Sequence, residues 1–205
     1  MIASLLAFLA ATALLAFSPG PDNIYVLTQS IANGSKSGLA TTAGLITGCI
    51  VHTTLVAFGL SAIIAASPYL FLAIKIVGAI YLLYLAYKVF KSDSTINLAE
   101  AAPKKTYLAL FKQGVLMNIL NPKVTIFFLA FFPGFLWDPE GNTVFQFYVL
   151  GLLFMVESFL IFGSIAIVAG KISHILRTSE KAGVVLKWLQ IIVFIGIAIF
   201  VLSDY

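Results

Sequence analysis

The chain has 205 residues, of which 61% are hydrophobic and only 10% are charged, and its mean hydropathy is +1.06. Soluble domains carry about 25% charged residues, so this composition excludes a soluble globular protein and indicates an integral membrane protein. The net charge of +4 does not indicate a nucleic-acid partner, because the cations lie in short loops, where the positive-inside rule explains them.

The apolar runs are about twenty residues long and do not alternate with polar residues, so they favour membrane-spanning helices over barrel strands. We predict an all-α protein with six spans, at residues 2–32, 40–65, 70–90, 107–132, 145–169 and 184–202. The connections between them are residues 33–38, 67–68, 91–106, 133–142 and 171–181. The six spans form one transmembrane domain covering residues 1–205.

The first predicted span is interrupted by Ser18-Pro19-Gly20-Pro21. At 1.5 Å per residue this span is too long for one perpendicular crossing, so we predict two half-helices. Gly20 suits the N-cap of the second half-helix, and Pro21 suits its first position, where the N–H has no intrahelical partner. Asp22 takes the second position, where its charge matches the positive end of the helix dipole.

The fourth predicted span carries a matching break at Asn121-Pro122-Lys123. Here Asn121 is the predicted N-cap, Pro122 the first helical residue and Lys123 the second. Lys123 opposes the helix dipole and lies at mid-membrane, where a charge is costly unless it is paired or hydrated. Its charge must therefore be compensated by a nearby carboxylate or by a bound anionic group.

The two halves of the chain follow one order: a broken helix, a glycine-containing helix and a final helix. Repeat one covers about residues 1–92 and repeat two about residues 106–205. Each repeat has three spans, an odd number, so the two repeats insert with opposite orientations. This is the inverted-repeat plan of many secondary transporters, which bind substrate at the midplane between broken helices. The alternative is a chance alignment of apolar helices.

The distribution of Lys and Arg predicts the orientation of the spans. The first loop carries Lys36, and the third loop, at about residues 91–106, and its flanks carry five lysines. The fifth loop is also basic, whereas the second has no cation and the fourth holds only Asp138 and Glu140. We therefore expect odd-numbered loops in the cytoplasm and both termini outside. The alternative is an error of one span, if a broken span is re-entrant.

The two breaks together predict a substrate site. An α-amino acid offers an ammonium, which Asp22 can accept, and a carboxylate, which suits Lys123 and the free N–H groups of a half-helix. Asn23 and Asn121 stand beside these charges, and Tyr81 in the third span is a further candidate to line the cavity. The alternative is a permanent Asp22–Lys123 ion pair that only neutralises the core.

Two more polar residues lie inside the spans. His52 lies in the middle of the second span and Glu157 at a comparable depth in the fifth, so both are candidates to carry a coupled proton. A packing role for His52 is the alternative. Cys49 and His52 lie three residues apart, but two ligands on one helix are weak evidence for a metal. We expect no metal site and no cofactor.

Other residues predict packing rather than chemistry. Ala40, Gly44 and Gly48 have the small-residue spacing that lets helices approach closely. Four phenylalanines after the second break favour lipid or packing contacts over a gate: Phe127, Phe128, Phe131 and Phe132. The chain has no GxSG, HExxH or GxGD motif, so we do not expect an enzyme.

The motifs together resemble the LysE/RhtB family of bacterial amino-acid exporters over nearly the whole chain. The similarity rests on Phe17-Ser18-Pro19-Gly20-Pro21-Asp22-Asn23, Gly34 and Gly38, Gly44 to His52, Gly78-Ala79 with Tyr81-Leu82 and Leu85, and Asn118 with Leu120-Asn121-Pro122-Lys123. Members of the family often carry an acidic residue in the middle of the fifth span, which Glu157 matches, and many carry Asp or His in the second, which His52 matches. The chain departs from the family at Gln190, where glycine is usual.

The resemblance implies efflux of amino acids or close derivatives across the bacterial cytoplasmic membrane, driven by the proton gradient. It points to the RhtB-like branch, associated with neutral or hydroxylated amino acids and homoserine-type compounds. The expected partners are a small amino-acid substrate, protons and the lipid bilayer, with no nucleic acid and with homo-oligomerisation left open. The alternatives are a small cation or metal exporter on the same fold and a membrane assembly subunit without transport activity.

Overall fold

The computed structural model describes residues 2–18, 20–93, 102–178 and 180–203. All regular secondary structure in these ranges is helical. Pro19, part of the first predicted break, lies outside the described residues. The α-helices are α1 (Ile2–Phe17), α2 (Pro21–Asn33), α3 (Ser35–Thr54), α4 (Ser61–Ala66), α5 (Pro68–Lys91), α6 (Tyr107–Ile119), α7 (Pro122–Phe131), α8 (Thr143–Ile167), α9 (Ala169–Thr178) and α10 (Glu180–Ser203). A π-helix covers Leu55–Leu60, and a 3₁₀ turn covers Phe132–Phe135.

Four helical segments are long and apolar enough to cross a membrane: Ser35–Ile64, Pro68–Lys91, Thr143–Ile167 and Lys181–Ser203. Two further pairs pass the same test together but are bent at a short break. The first pair, α1 and α2, is bent by 58°, and the second, α6 continuing into α7, is bent by 52°. By length and composition the protein is therefore a multi-pass helical membrane protein with four spans, or six if each bent pair counts as one.

Three local features differ from the sequence-based expectations. The predicted turn at residues 33–38 is shorter, because the single glycine Gly34, at φ +86°, redirects the chain and α3 begins at Ser35. The polar stretch at residues 171–181 largely forms helix α9, which turns the apolar side chains Ile172 and Leu176 toward Leu27 of α2. The second span is not one uniform α-helix, since it contains the π-helix.

Helices α3 and α6 pack closely through glycine. A Cβ added to Gly44 would overlap the backbone carbonyl of Phe111, and one added to Gly114 would overlap the carbonyl of Thr41. A Cβ on Gly48 would lie 2.7 Å from the side chain of Asn118. The predicted close packing along this row is confirmed for Gly44 and Gly48, and it brings the middle of α3 against the end of α6.

The other main helix contacts join the two halves of the chain. Helix α3 also packs on α8, α5 packs on α10, and α1 packs on α8. The core between them is aromatic, and the four phenylalanines expected to make packing or lipid contacts are at most 1% exposed. They stack on one another and on Phe8 and Phe154, for example with 4.1 Å between the ring centroids of Phe128 and Phe132. This cluster adjoins the second break, because its four phenylalanines lie on α7 and the 3₁₀ turn that follows it.

Candidate functional site

The first break forms as predicted from the sequence. Gly20 is the N-cap of α2 in extended backbone conformation, without a side-chain cap, and Pro21 and Asp22 begin the helix. Asn23 reaches back across the break, and its Nδ2 donates to the carbonyl of Ala16 at 2.7 Å. This bond satisfies a carbonyl at the end of α1 that lost its helical partner where the chain bends. It thereby ties the two half-helices together.

The second break also has the predicted cap. Asn121 has extended backbone dihedral angles, and its Oδ1 accepts a hydrogen bond from the backbone N–H of Lys123 at 3.0 Å. The Asn121 carbonyl accepts from the N–H groups of Val124 and Thr125, which starts α7. An Asn cap of this kind contributes about 1 kcal/mol to helix stability. Asn121 therefore fixes where the second half-helix begins.

The two breaks meet through Asn121. Its Nδ2 donates a hydrogen bond of 3.0 Å to Oδ2 of Asp22, and both side chains are buried. One side chain thus caps α7 with its oxygen and holds the carboxylate of α2 with its nitrogen. The two residues are 99 positions apart in the chain, so this bond also fixes the packing of one half of the protein against the other.

Lys123 lies beside the start of α2. A Cβ added to Gly20 would lie 3.5 Å from the Lys123 Nζ, an ordinary van der Waals distance, so the ammonium lies against the cap of α2. The Nζ also lies 4.9 Å from the centroid of the Phe194 ring, a cation–π contact. Lys123 attracts Asp22 electrostatically, but the hydrogen-bond partner of that carboxylate is Asn121. The ammonium therefore lies at the meeting point of two half-helix N-termini.

A cavity of about 50 Å³ lies between the two breaks. This volume holds a few water molecules, since one water needs roughly 10–15 Å³ by this measure. The cavity therefore has to widen before an amino acid fits. Its wall combines polar and apolar residues: Leu15, Ala16, Gly20, Pro21, Asp22, Asn23, Leu45, Ile46, Cys49, Asn118, Asn121, Lys123, Val124, Phe127, Phe154, Ser158 and Phe162.

Two polar residues of the cavity wall were not among the predicted site residues. Asn118 lies in the last turn of α6 and Ser158 lies on α8, and both are buried. Asn118 Oδ1 and Ser158 Oγ have no hydrogen-bond partner within the part of the chain that the structure describes. The buried hydroxyl of Ser18, at the first break, also has no hydrogen-bond partner among the described residues. The sequence signal for Ser158 is its polarity inside an apolar span, which does not by itself separate a cavity residue from a packing one.

The two proton-carrying candidates lie outside the cavity wall. His52 is buried, and its Nε2 lies 3.0 Å from the carbonyl of Asn118, so this nitrogen carries a proton that it donates. Glu157 is partly buried and accepts a hydrogen bond from Thr12 of α1. His52 therefore contacts the chain just before the second break, whereas Glu157 joins α8 to the first span.

Tyr81 is the one predicted substrate residue that the structure places away from the cavity. It lies on α5 and is partly buried, with its ring 6.1 Å from that of Tyr84. Cys49 does line the cavity and donates to the Leu45 carbonyl at 3.6 Å. Among residues 2–18, 20–93, 102–178 and 180–203, no three His, Cys, Asp or Glu side chains gather into a group that could hold a metal.

Comparison with known proteins gives one family. The model of the LysE type translocator matches residues 13–205. The homoserine/homoserine lactone efflux protein of Salmonella typhimurium is 32% identical over 167 residues, which cover 82% of this chain and 81% of the relative, and the Salmonella typhi protein of the same name matches to the same extent. The uncharacterized membrane protein YrhP of Bacillus subtilis is 36% identical over 148 residues, which cover 68% of this chain and 70% of the relative.

No solved structure matches the chain significantly. The family model spans almost the whole sequence, and it confirms the resemblance drawn from the two proline motifs. Family members are translocators, so the chain is a transporter rather than an enzyme. With the broken spans and the family match in agreement, this chain belongs to the LysE type translocator family.

Proposed function

We propose that this protein is a secondary exporter that carries small amino acids or close derivatives out of the bacterial cell across the cytoplasmic membrane. One observation carries the proposal. Asp22 and Lys123 begin two half-helices that meet at one cavity, joined by the Asn121 amide. The related efflux proteins of Salmonella, which are named for homoserine and its lactone, support this substrate class.

The two charges bind the two ends of the amino acid. Asp22 attracts the substrate ammonium and keeps lone pairs beyond the one used by Asn121. The substrate carboxylate binds the Lys123 ammonium and is attracted by the dipole of α7, whose first N–H groups, expected to be free, are already bonded to Asn121. A bound substrate carboxylate offsets the unfavourable interaction between the charge of Lys123 and the positive end of the α7 dipole.

A permanent ion pair is the less favoured reading of the same two residues. The Asp22 carboxylate is hydrogen-bonded to Asn121, and Lys123 interacts with it through space rather than through a hydrogen bond. The Asp22 carboxylate, whose hydrogen-bond partner is the neutral amide of Asn121, therefore keeps lone pairs for a cationic ligand. A pair kept only to neutralise the core has no use for those lone pairs.

The inverted repeat supplies the transport motion in this proposal. An axis that exchanges the two halves would pair the α3–α6 contact with the α8–α1 contact and would map α3–α8 and α5–α10 onto themselves. All four contacts are present, whereas the α2–α3 and α5–α7 contacts have no counterpart of similar extent. The two bends, of 58° and 52°, are also nearly equal. Rocking of one repeat against the other then exposes the cavity alternately to each side. Odd-numbered loops lie in the cytoplasm and both termini outside.

Proton entry drives export, with Glu157 and His52 as the carriers. Glu157 bonds Thr12 and so links α8 to the helix that ends at the first break. His52 donates to the carbonyl of Asn118, which also accepts the N–H of Asn121. A change of protonation at either residue therefore acts on a helix that ends at a break.

A cation or metal exporter is disfavoured by the site itself. The Lys123 ammonium lies on the wall of the same small cavity as Asp22, and it repels a bare cation. A zwitterionic substrate meets the opposite situation, because each of its charges faces one of opposite sign. The family match to translocators likewise opposes an assembly subunit without transport activity.

An efflux assay with a panel of substrates tests the proposal. Cells expressing the protein are loaded with dipeptides of each amino acid, and the internal and external concentrations are followed against an empty-vector control. The proposal expects faster appearance outside and a lower internal pool for a subset of amino acids, homoserine-type compounds included. Equal time courses with and without the protein, for every compound, would rule it out.

A further inference from the structure

The cavity wall contains a serine, Ser158, whose hydroxyl makes no hydrogen bond to its own helix. Hydroxyls of helical serines commonly bond back to a carbonyl one turn earlier, as Ser164 of α8 does with Leu160 at 2.7 Å. Ser158, on the same helix, is 2% exposed, and its Oγ has no partner among the described residues. A buried hydroxyl without a partner is unfavourable, so this group indicates a missing hydrogen-bonding species in the cavity.

Asn118 presents a second group of this kind on the same wall. It is 4% exposed, and its Oδ1 has no hydrogen-bond partner within the described part of the chain. Its position is fixed because Gly48 of α3 packs against the side chain. The two residues therefore place a carbonyl acceptor on α6 and a hydroxyl, which both donates and accepts, on α8 beside the cavity, where neither oxygen is exposed until the cavity widens.

The charges of the wall restrict what these two groups can bind. The lining contains one carboxylate, Asp22, and one ammonium, Lys123, and the proposed function uses both for the substrate's own ammonium and carboxylate. A basic or acidic substrate side chain then has no counter-charge in the cavity. The cavity holds no amino acid until it opens, but three phenylalanines of its wall, Phe127, Phe154 and Phe162, leave little room for a long side chain. What remains is a short, neutral side chain with a polar group.

We infer that Ser158 and Asn118 are the specificity-determining residues of this exporter and select amino acids whose short neutral side chain carries a hydrogen-bonding group such as a hydroxyl. The inference rests on the proposed function and adds to it how the side chain is recognised. A site that hydrogen-bonds a substrate hydroxyl discriminates strongly against the analogue that lacks it, because its own polar groups are left unpaired.

The test compares homoserine with norvaline, in which a methyl group replaces the hydroxyl. Purified protein in liposomes takes up labelled homoserine by counterflow, and each unlabelled compound competes. For the parent protein, half-inhibition by norvaline is expected to need at least about tenfold more compound than by homoserine, the equivalent of one good hydrogen bond. In Ser158→Ala and in the isosteric Asn118→Leu the ratio is expected to fall by about three- to tenfold.

Two control variants keep the result interpretable. Ser158→Thr retains the hydroxyl and is expected to keep the parent ratio. Ser164→Ala removes a hydroxyl that is already bonded within the same helix, and it is also expected to keep that ratio. The competition ratio is independent of how much protein is active, so a partial loss of folded protein does not mimic the expected change.

Two results would overturn the inference while leaving an exporter in place. One is a parent protein for which norvaline competes as well as homoserine. The other is a parent ratio that persists in both Ser158→Ala and Asn118→Leu, which would mean that water alone satisfies the two groups. Absence of counterflow for every amino acid, with well-folded parent protein, would instead overturn the proposed function and this inference with it.

Discussion

Asn121 donates a hydrogen bond of 3.0 Å to the carboxylate of Asp22, so the cap of the second half-helix holds the first turn of the earlier one. The same Asn121 side chain accepts from the N–H of Lys123. A single amide therefore determines the relative position of the two charged residues of the cavity. In the proposed mechanism, this amide sets the distance between Asp22 and Lys123. That distance matches the spacing between the ammonium and the carboxylate of the substrate.

Replacing Asn121 by alanine is expected to reduce transport by tenfold or more. The change removes the α7 cap, which costs about 1 kcal/mol, and also frees Asp22 from its partner. Initial efflux rates per amount of inserted protein measure the effect. Asn142→Ala is a matched control, because Asn142 caps α8 through the N–H of Phe145 in an exposed loop. Equal losses of transport in both variants would show that Asn121 acts only as a helix cap.

Lys123→Ala is expected to abolish export of homoserine but to affect its lactone less. The free acid carries a full carboxylate for the lysine, whereas the lactone offers only an ester carbonyl, and hydrogen bonds to an ionised acceptor are roughly twice as strong. Asp22→Asn is expected to abolish export of both, since both carry the amino group. Lys36→Ala, an exposed lysine in the first turn of α3, is the control. Equal losses for acid and lactone in Lys123→Ala would contradict the assigned role.

Glu157→Gln is expected to remove the response of transport to a pH gradient. An acidic exterior should accelerate export by the parent protein, because proton entry drives substrate exit. The glutamine variant should not respond, because its side chain imitates a permanently protonated carboxyl. Proteoliposomes with an imposed gradient measure this response. Thr12→Val, which removes the hydrogen-bond donor to Glu157, is expected to weaken it, and the loop variant Glu140→Gln to leave it intact. An unchanged gradient response in Glu157→Gln would remove that residue from the coupling.

Gly44→Ala is expected to destabilise the protein by roughly 1–3 kcal/mol, since its methyl group would overlap the carbonyl of Phe111. The midpoint of thermal unfolding in detergent should fall accordingly. The control is Gly196→Ala on α10, where an added methyl group meets no atom within 4 Å and alanine favours the helix. A Gly44→Ala protein as stable as the parent would mean that α3 and α6 are not held together at this point.

The proline motifs made the two breaks predictable from the sequence. Proline and a capping residue act locally, so the positions of Gly20, Asp22, Asn121 and Lys123 follow from the chain itself. The family resemblance rested partly on the same residues. The orientation of each uninterrupted helix was not predictable in this way, because spans that are apolar on all sides carry no amphipathic signal for the face that packs inward.

Helix α8 shows where the sequence did not predict which helix face lines the cavity. Glu157 and Ser158 are adjacent, and neighbours in a helix point about 100° apart, so only one of them can face the cavity. The sequence predicted a proton-carrying role for Glu157 and no role for Ser158, whereas the structure places Ser158 on the cavity wall and Glu157 against Thr12. Tyr81 was predicted to line the cavity, but its ring lies beside that of Tyr84. The π-helix at Leu55–Leu60 carries no proline or glycine cue at its start.

The central claim is that Asp22 and Lys123 bind substrate rather than only each other. The most direct measurement is export by the charge-neutral double variant Asp22→Asn/Lys123→Gln beside its two single variants, at equal levels of inserted protein. If both residues bind substrate, the double variant is as inactive as either single variant. Recovery of parental export in the double variant, with the single variants inactive, would show that the pair only neutralises the core and would contradict the proposed site.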